Sequence, residues 1–222
     1  MITSNIGKIF LDAYNEKYGT SYDARTFFLE QFYPLFFDQN KYMMTAGNSP
    51  LENPKLSWDD MIKGKKPFET PEQRKIRFEK LIKKIEESEA DASIARGYAS
   101  LDVTATTSGQ VTDLKLPNSQ EEIYTSWIGD ALGIGVQGGF SILFSNKEIL
   151  LDIFEGWKLY RTSLNETTML KGNQINTWNG QWLSHYYDPR EYNADMPLAG
   201  YNPFNVNKDG IISIDTQTWT KI

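Results

Sequence analysis

The sequence predicts an α+β (mixed α/β) fold: a small central sheet with a β-hairpin flanked by helices, aromatic-rich N-terminal helices, and an irregular C-terminal segment. Three observations predict it. Apolar residues recur at helical spacing in several windows, one window from Tyr98 alternates with a period of two, and beyond Leu164 the chain turns rich in Asn, Trp, Tyr and Gly. With 222 residues and 40% apolar content, a large core is within reach, and residues 1–222 are expected to form a single domain. Its expected parts are a helical and loop region over 1–69, a core over 70–163, and the irregular region over 164–222.

The elements follow in order. Ile6, Ile9, Phe10, Ala13 and Tyr14 mark a helix over 4–18, with Ser4 as its cap and Gly19 as its stop. Asp23 caps a second helix that Phe27, Phe28, Phe32, Leu35 and Phe36 load with aromatic bulk, and Pro34 kinks or ends it. Residues 38–69 read as loop, with one helical turn around Trp58 to Ile62. Thr70-Pro71-Glu72-Gln73 supplies a cap, a proline at the first helical position and a capping-box Gln, predicting a helix from 71 to about 89. A hairpin spans 98–116, turning at Thr107-Ser108-Gly109, and Ser119 opens a helix through Leu132. Gly139 to Ser145 reads as a buried strand, Asn146 caps a helix over 147–163, and a last hairpin covers Ile211 to Trp219.

Composition narrows the chemistry. The chain has no Cys, which removes disulfides, thiolate metal sites and cysteine nucleophiles. The first eighteen residues lack the basic and apolar regions of a signal peptide, and no window holds the roughly 18 apolar residues of a membrane span, so a cytoplasmic chain is expected. The net charge of −6 speaks against indiscriminate coating of nucleic acid, yet it is uneven. Between Lys63 and Lys84 nine cations face three acids, 9 − 3 = +6, leaving −12 elsewhere. Arg77, Lys80 and Lys84 fall on one border of the predicted helix, as a solvated face or as a phosphate-contacting ridge.

The hairpin is the most informative piece. Leu101 and Val103 share a side with Leu114 and Leu116, so the opposite side carries Asp102, Asp113 and Lys115. Pairing Ala105 with Gln110 sets Asp102 opposite Asp113, with Cβ atoms about 5 Å apart. Two carboxylates that close call for a bound cation or a shared proton, and oxygen ligands suit Mg²⁺. Lys115 projects from the same face, where an ammonium can orient a water or steady developing phosphorane charge.

An acid on one strand followed by acid-x-Lys on the next resembles the PD-(D/E)xK nuclease superfamily, here Leu101-Asp102 and Asp113-Leu114-Lys115. The resemblance covers residues 70–163 at most. It implies Mg²⁺-dependent phosphodiester hydrolysis of DNA, with Asp102 and Asp113 as metal ligands and Lys115 assisting the attacking water. Leu101 stands where that family often has Pro. A further acid from the preceding helix would be one of Glu86, Glu87 or Glu89.

Other patterns have plainer readings. Gly133-Ile134-Gly135-Val136-Gln137-Gly138 matches G-x-G-x-x-G, but a helix precedes it and a strand follows, the reverse of a dinucleotide site. Asn205 to Gly210 resembles half a calcium loop but lacks the closing Glu, so a Lys-Asp-Gly turn accounts for it better. The lone His185 sits in an aromatic segment that is either core or a recognition surface. On that surface the amides of Asn179 and Gln181 would read base edges beside stacking rings.

Three functions remain open from these residues. One is a restriction-like or defence-like DNA endonuclease. Another is a non-catalytic nucleic-acid-binding or assembly subunit of a bacterial defence complex. The third is a carbohydrate-binding module using Trp178, Trp182 and the tyrosines. Homo-oligomers are compatible with each, and a membrane with none.

Overall fold

The computed structural model describes residues 1–52, 58–88, 91–98, 119–218 and 220. Helices and two small antiparallel two-stranded sheets make the chain α+β. They fall into two compact units. One holds Met1–Asn40, Thr45–Lys55 and Phe68–Ala131; the other holds Lys41–Met44, Leu56–Pro67 and Leu132–Ile222.

The first unit contains α1 (Ile2–Tyr18), α2 (Ala24–Phe27) and α3 (Tyr33–Phe36). Gly19 ends α1 in the left-handed conformation, φ 63°, as its position predicted. Ser4 does not cap it: the helix starts at Ile2, and the buried Ser4 hydroxyl donates to the Glu122 carbonyl at 2.8 Å. Asp23 does cap α2, accepting from the Thr26 amide at 2.6 Å. A π-helical turn, Phe28–Phe32, joins α2 to α3 immediately before Pro34, which has no N–H to give to the preceding turn.

The later elements of this unit are α5 (Pro71–Glu87) and α6 (Gln120–Ala131). The capping box at Thr70 and Gln73 forms in full. At the start of α6, Ser119 and Glu122 exchange side chain to backbone bonds at 3.1 and 3.2 Å. α1 and α6 approach so closely that their glycines are obligatory. A Cβ on Gly7 would meet the Thr125 carbonyl oxygen at 2.0 Å, and one on Gly129 would meet that of Thr3 at 1.9 Å. The core beside this contact is aromatic. Phe32 stacks on Phe36 at 4.2 Å, Phe37 meets Trp127 edge-on at 5.7 Å, and the Trp127 indole N–H donates to the Ile94 carbonyl.

The second unit contains α4 (Trp58–Ile62), α7 (Lys147–Glu166) and α8 (Ile175–Tyr186), with β1 (Ile134–Val136) paired to β2 (Phe140–Ile142) and β3 (Phe204–Val206) paired to β4 (Ile212–Ile214). Asn146 caps α7 as predicted, accepting from Glu148 and Ile149. The expected buried strand over 139–145 is instead the exposed arm of a hairpin, with Phe140 60% exposed. Its partner is the Ile134–Val136 segment, within the glycine run that follows the helix. The hairpin expected over 211–219 forms further upstream, turning at Asn207 to Gly210.

α8 falls in the region that seemed irregular. Ile175, Trp178, Asn179, Trp182 and Leu183 form its buried stripe. A Cβ on Gly156 of α7 would meet Trp182 at 2.4 Å, so the indole lies directly on the α7 backbone. The Trp178 and Trp182 indoles donate to the carbonyls of Gly156 and Asp152. At the C-terminal end of α7, the buried Lys41 ammonium donates to the carbonyls of Thr167, Thr168 and Leu170 at 2.7, 3.1 and 3.0 Å. Lys41 thereby draws together carbonyls of the turn that follows the helix, where the Thr167 carbonyl also accepts from the Leu170 N–H at 3.1 Å. Burial, with the Arg161 charge nearby, holds Lys41 down at about 8.

Candidate functional site

Asp102, Asp113 and Lys115 lie outside the described residues, and so does the hairpin expected to carry them. Among the described residues no group of three or more His, Asp or Glu side chains is arranged to hold a metal ion. The other nominated residues can be placed on α5 and α8.

On α5 the basic ridge is largely spent inside its own unit. Arg77 is held by the Glu69 carboxylate and donates to the Glu52 carbonyl at 2.6 Å. Lys84 is bound by the Ser93 hydroxyl, with Asp91 at 3.9 Å. Arg74 is buried against Asp38, Asn40 and the Glu69 carbonyl, while Lys75 and Lys83 pair with Glu79 and Glu87 one turn on. Lys80 is exposed and has no ion pair among the described residues. In the second unit Lys63 and Lys66 are matched by Asp209 and Asp60, leaving Lys65. Seven of the nine cations between Lys63 and Lys84 therefore sit within 4.0 Å of a carboxylate. Pairs this short cancel most of the field that would draw a phosphate backbone.

On α8, Asn179 is fully buried. Its amide nitrogen donates to the Gly133 carbonyl at 2.8 Å and its oxygen accepts from the Trp157 indole at 3.2 Å. Its amide holds α8 against α7 and β1, and it has no surface with which to meet a base. Trp178 and Trp182 are 0% and 1% exposed, so neither can stack on a sugar ring. Gln181 is half-buried: its nitrogen donates to the Asp215 carbonyl at 2.6 Å and its oxygen accepts from Gln217 at 3.1 Å. His185 is core, stacked on Tyr201 at 4.5 Å, with its Nε2 2.9 Å from the Pro197 carbonyl.

What α8 does offer is an open cleft of about 1040 Å³ at its C-terminal end, bordered by Gln181, Tyr187, Arg190, Glu191 and Asn202. Tyr187 is 55% exposed, and its hydroxyl donates to Asp152 at 2.6 Å. Burial, then that carboxylate, raises the phenol above its ordinary value. Arg190 grips Asp188 through two bonds of 3.0 and 2.8 Å, which holds that carboxyl at about 2. Glu191 forms no salt bridge among the described residues. The cleft thus carries one committed cation, its carboxylate partner, a spare carboxylate, a ring and amides. A sequence signal for it existed: Asp188-Pro189 breaks the aromatic segment with a turn, and Arg190 and Glu191 line the same cleft as Tyr187.

A second hollow, about 840 Å³, lies against the Gly138-Gly139 tip of the β1–β2 hairpin and the first residues of α8. Comparison of the chain with family models, with curated proteins and with solved structures returned no match.

Proposed function

We propose that the chain is a non-catalytic assembly module that holds a segment of a protein partner in the cleft at the end of α8. The observation that supports this reading is the charge of that cleft: Arg190 is already neutralised by Asp188, and Glu191 leaves an excess negative charge in a cleft that the exposed ring of Tyr187 also lines. A phosphate backbone gains nothing there, whereas a Lys or Arg side chain of an extended peptide gains a carboxylate and a π face. Selection of a random peptide library against the chain should enrich sequences with a central Lys or Arg. Glu191→Gln and Tyr187→Ala should each weaken the selected peptide about tenfold, equivalent to about 1.4 kcal/mol. A selection without consensus, or variants that bind as the parent does, would defeat this reading.

The sequence alternation that predicts a shared face for Asp102, Asp113 and Lys115 favours a second reading, a Mg²⁺-dependent DNA endonuclease. Asp102 and Asp113 would hold the ion, which would activate the attacking water, and Lys115 would orient that water. Plasmid DNA incubated with the chain and Mg²⁺ would then be nicked or linearised, and Asp113→Ala should lower the rate by more than about a hundredfold. Intact plasmid after prolonged incubation removes this reading and leaves the first untouched.

A further inference from the structure

From the backbone directions of the β1–β2 hairpin we infer that its outer edge joins two copies of this chain by antiparallel strand pairing across a two-fold axis. The edge residues Ser141 and Leu143 do not line the α8 cleft, although Phe144 does. Val136 bridges to Gln217 in parallel, with the Gln137 N–H donating to the Gln217 carbonyl at 2.9 Å. The backbone groups of Gly135 and Gln137 therefore point away from β2, and those of Ile134 and Val136 point toward it. It follows that the pairs Ile134↔Ile142 and Val136↔Phe140 exchange the ladder bonds.

Ser141 consequently turns its N–H and C=O to the open side, and strand alternation continued past Ile142, where β2 ends, gives Leu143 the same direction. Among the described residues nothing bonds to the outward groups of either. An apolar β edge left open is a template for another strand.

Three features select a second copy as the occupant. First, an antiparallel two-fold centred on Ile142 sets Ser141 of each copy opposite Leu143 of the other. The two outward-facing residues then satisfy one another, which is the self-complementarity a two-fold interface requires. Second, the same register sets Phe140 opposite Phe144 and Ile142 opposite itself, pairing like with like along Phe140-Ser141-Ile142-Leu143-Phe144. Third, Ala131 to Asn146 contains no charged residue, in a chain whose net charge is −6. Two copies repel one another over most of their surface, and this tract lets them meet without opposing like charges. Five residues a side bury less than the roughly 800 Å² per partner of a stable dimer, so the pair is weak, with a dissociation constant on the order of 100 µM.

Sedimentation equilibrium between about 5 and 500 µM tests this. The average mass should climb from 25.5 kDa toward twice that value with rising concentration. Ser141→Pro removes an N–H that β1 does not use, and Leu143→Lys brings two ammonium groups toward each other. Each should weaken association at least tenfold while leaving the far-UV spectrum and melting temperature unchanged. A monomer at the highest concentration overturns the proposal, as does undiminished association of both folded variants. Binding of an unrelated strand-forming peptide by a monomeric parent would assign the edge to a heterologous strand and also overturn it.

Discussion

Gly129→Ala is expected to lower the stability of the first unit by about 3 kcal/mol or more. The added carbon would lie 1.9 Å from the Thr3 carbonyl oxygen, where contact begins above 3 Å. The obstacle is main chain, not the end of a movable side chain, so α1 and α6 must separate along their length. Overpacking of cores ordinarily costs ~1–3 kcal/mol, and a backbone clash on both helices belongs at or above the top of that range. Gly7→Ala repeats the insult one turn away against Thr125, and Gly19→Ala, with nothing within 4 Å, isolates the separate cost of a left-handed backbone. Thermal unfolding followed by circular dichroism should show Gly129→Ala melting about 10 °C below the parent, at ~2–4 °C per kcal/mol for a chain of this size. An equal melting temperature would mean that the helices are not in contact as described.

Lys41→Met is expected to cost on the order of 3 kcal/mol, because it strips the carbonyls of Thr167, Thr168 and Leu170 of their common donor without opening them to water. The pH dependence supplies an independent check. Lys41 sits at about 8 in the folded chain against 10.5 ordinarily. Below pH 8 both folded and unfolded forms hold the proton, and the cost of burying the charge is fully present. Between pH 8 and 10.5 the folded form releases its proton first, the unfolded form then binds more protons, and stability from this group rises with pH. Urea denaturation at pH 7, 8, 9 and 10 should show that rising component in the parent and its loss in Lys41→Met. Identical pH profiles for the two proteins would assign Lys41 no part in it.

Much of the helical framework could be read from residues because its signals are local. The Thr70–Gln73 capping box, the Asp23 cap, the Asn146 cap and the Gly19 stop each act within one turn, and each forms as predicted. α8 escaped because its start has no side-chain cap and its sequence is dense in Asn, Gly and Trp, poor helix formers by themselves. Distant partners hold it instead: Asn179 bonds to Gly133, and Trp178 to Gly156. The apolar run over 139–145 shows a related limit. Apolar side chains and β propensity identify a strand but do not say whether another layer covers it.

The environments of the residues on α5 and α8 escaped the sequence for the same reason. A local excess of six positive charges holds only if the neutralising acids are near in sequence. Asp38 reaches Arg74 across 36 residues, and Asp209 reaches Lys63 across 146. Asn179 looked available for recognition because an amide that bonds inward has the same letter as one that bonds outward. The alternation that predicts a shared face for Asp102, Asp113 and Lys115 is likewise a local pattern of the sequence.

The distribution of each unit along the chain has a consequence during synthesis. Residues 41–44 and 56–67 emerge early but belong with 132–222. The carbonyls of Tyr42 and Met43 wait for the amides of Asn173 and Ile175, and the Lys41 ammonium waits for the end of α7. A nascent polypeptide released from the ribosome up to Ala131 already has every segment of the first unit, whereas the second has only two short stretches awaiting translation of the remainder. Vectorial folding should therefore proceed in that order, and a premature stop within α8 would strand those early stretches without the partners that bury them.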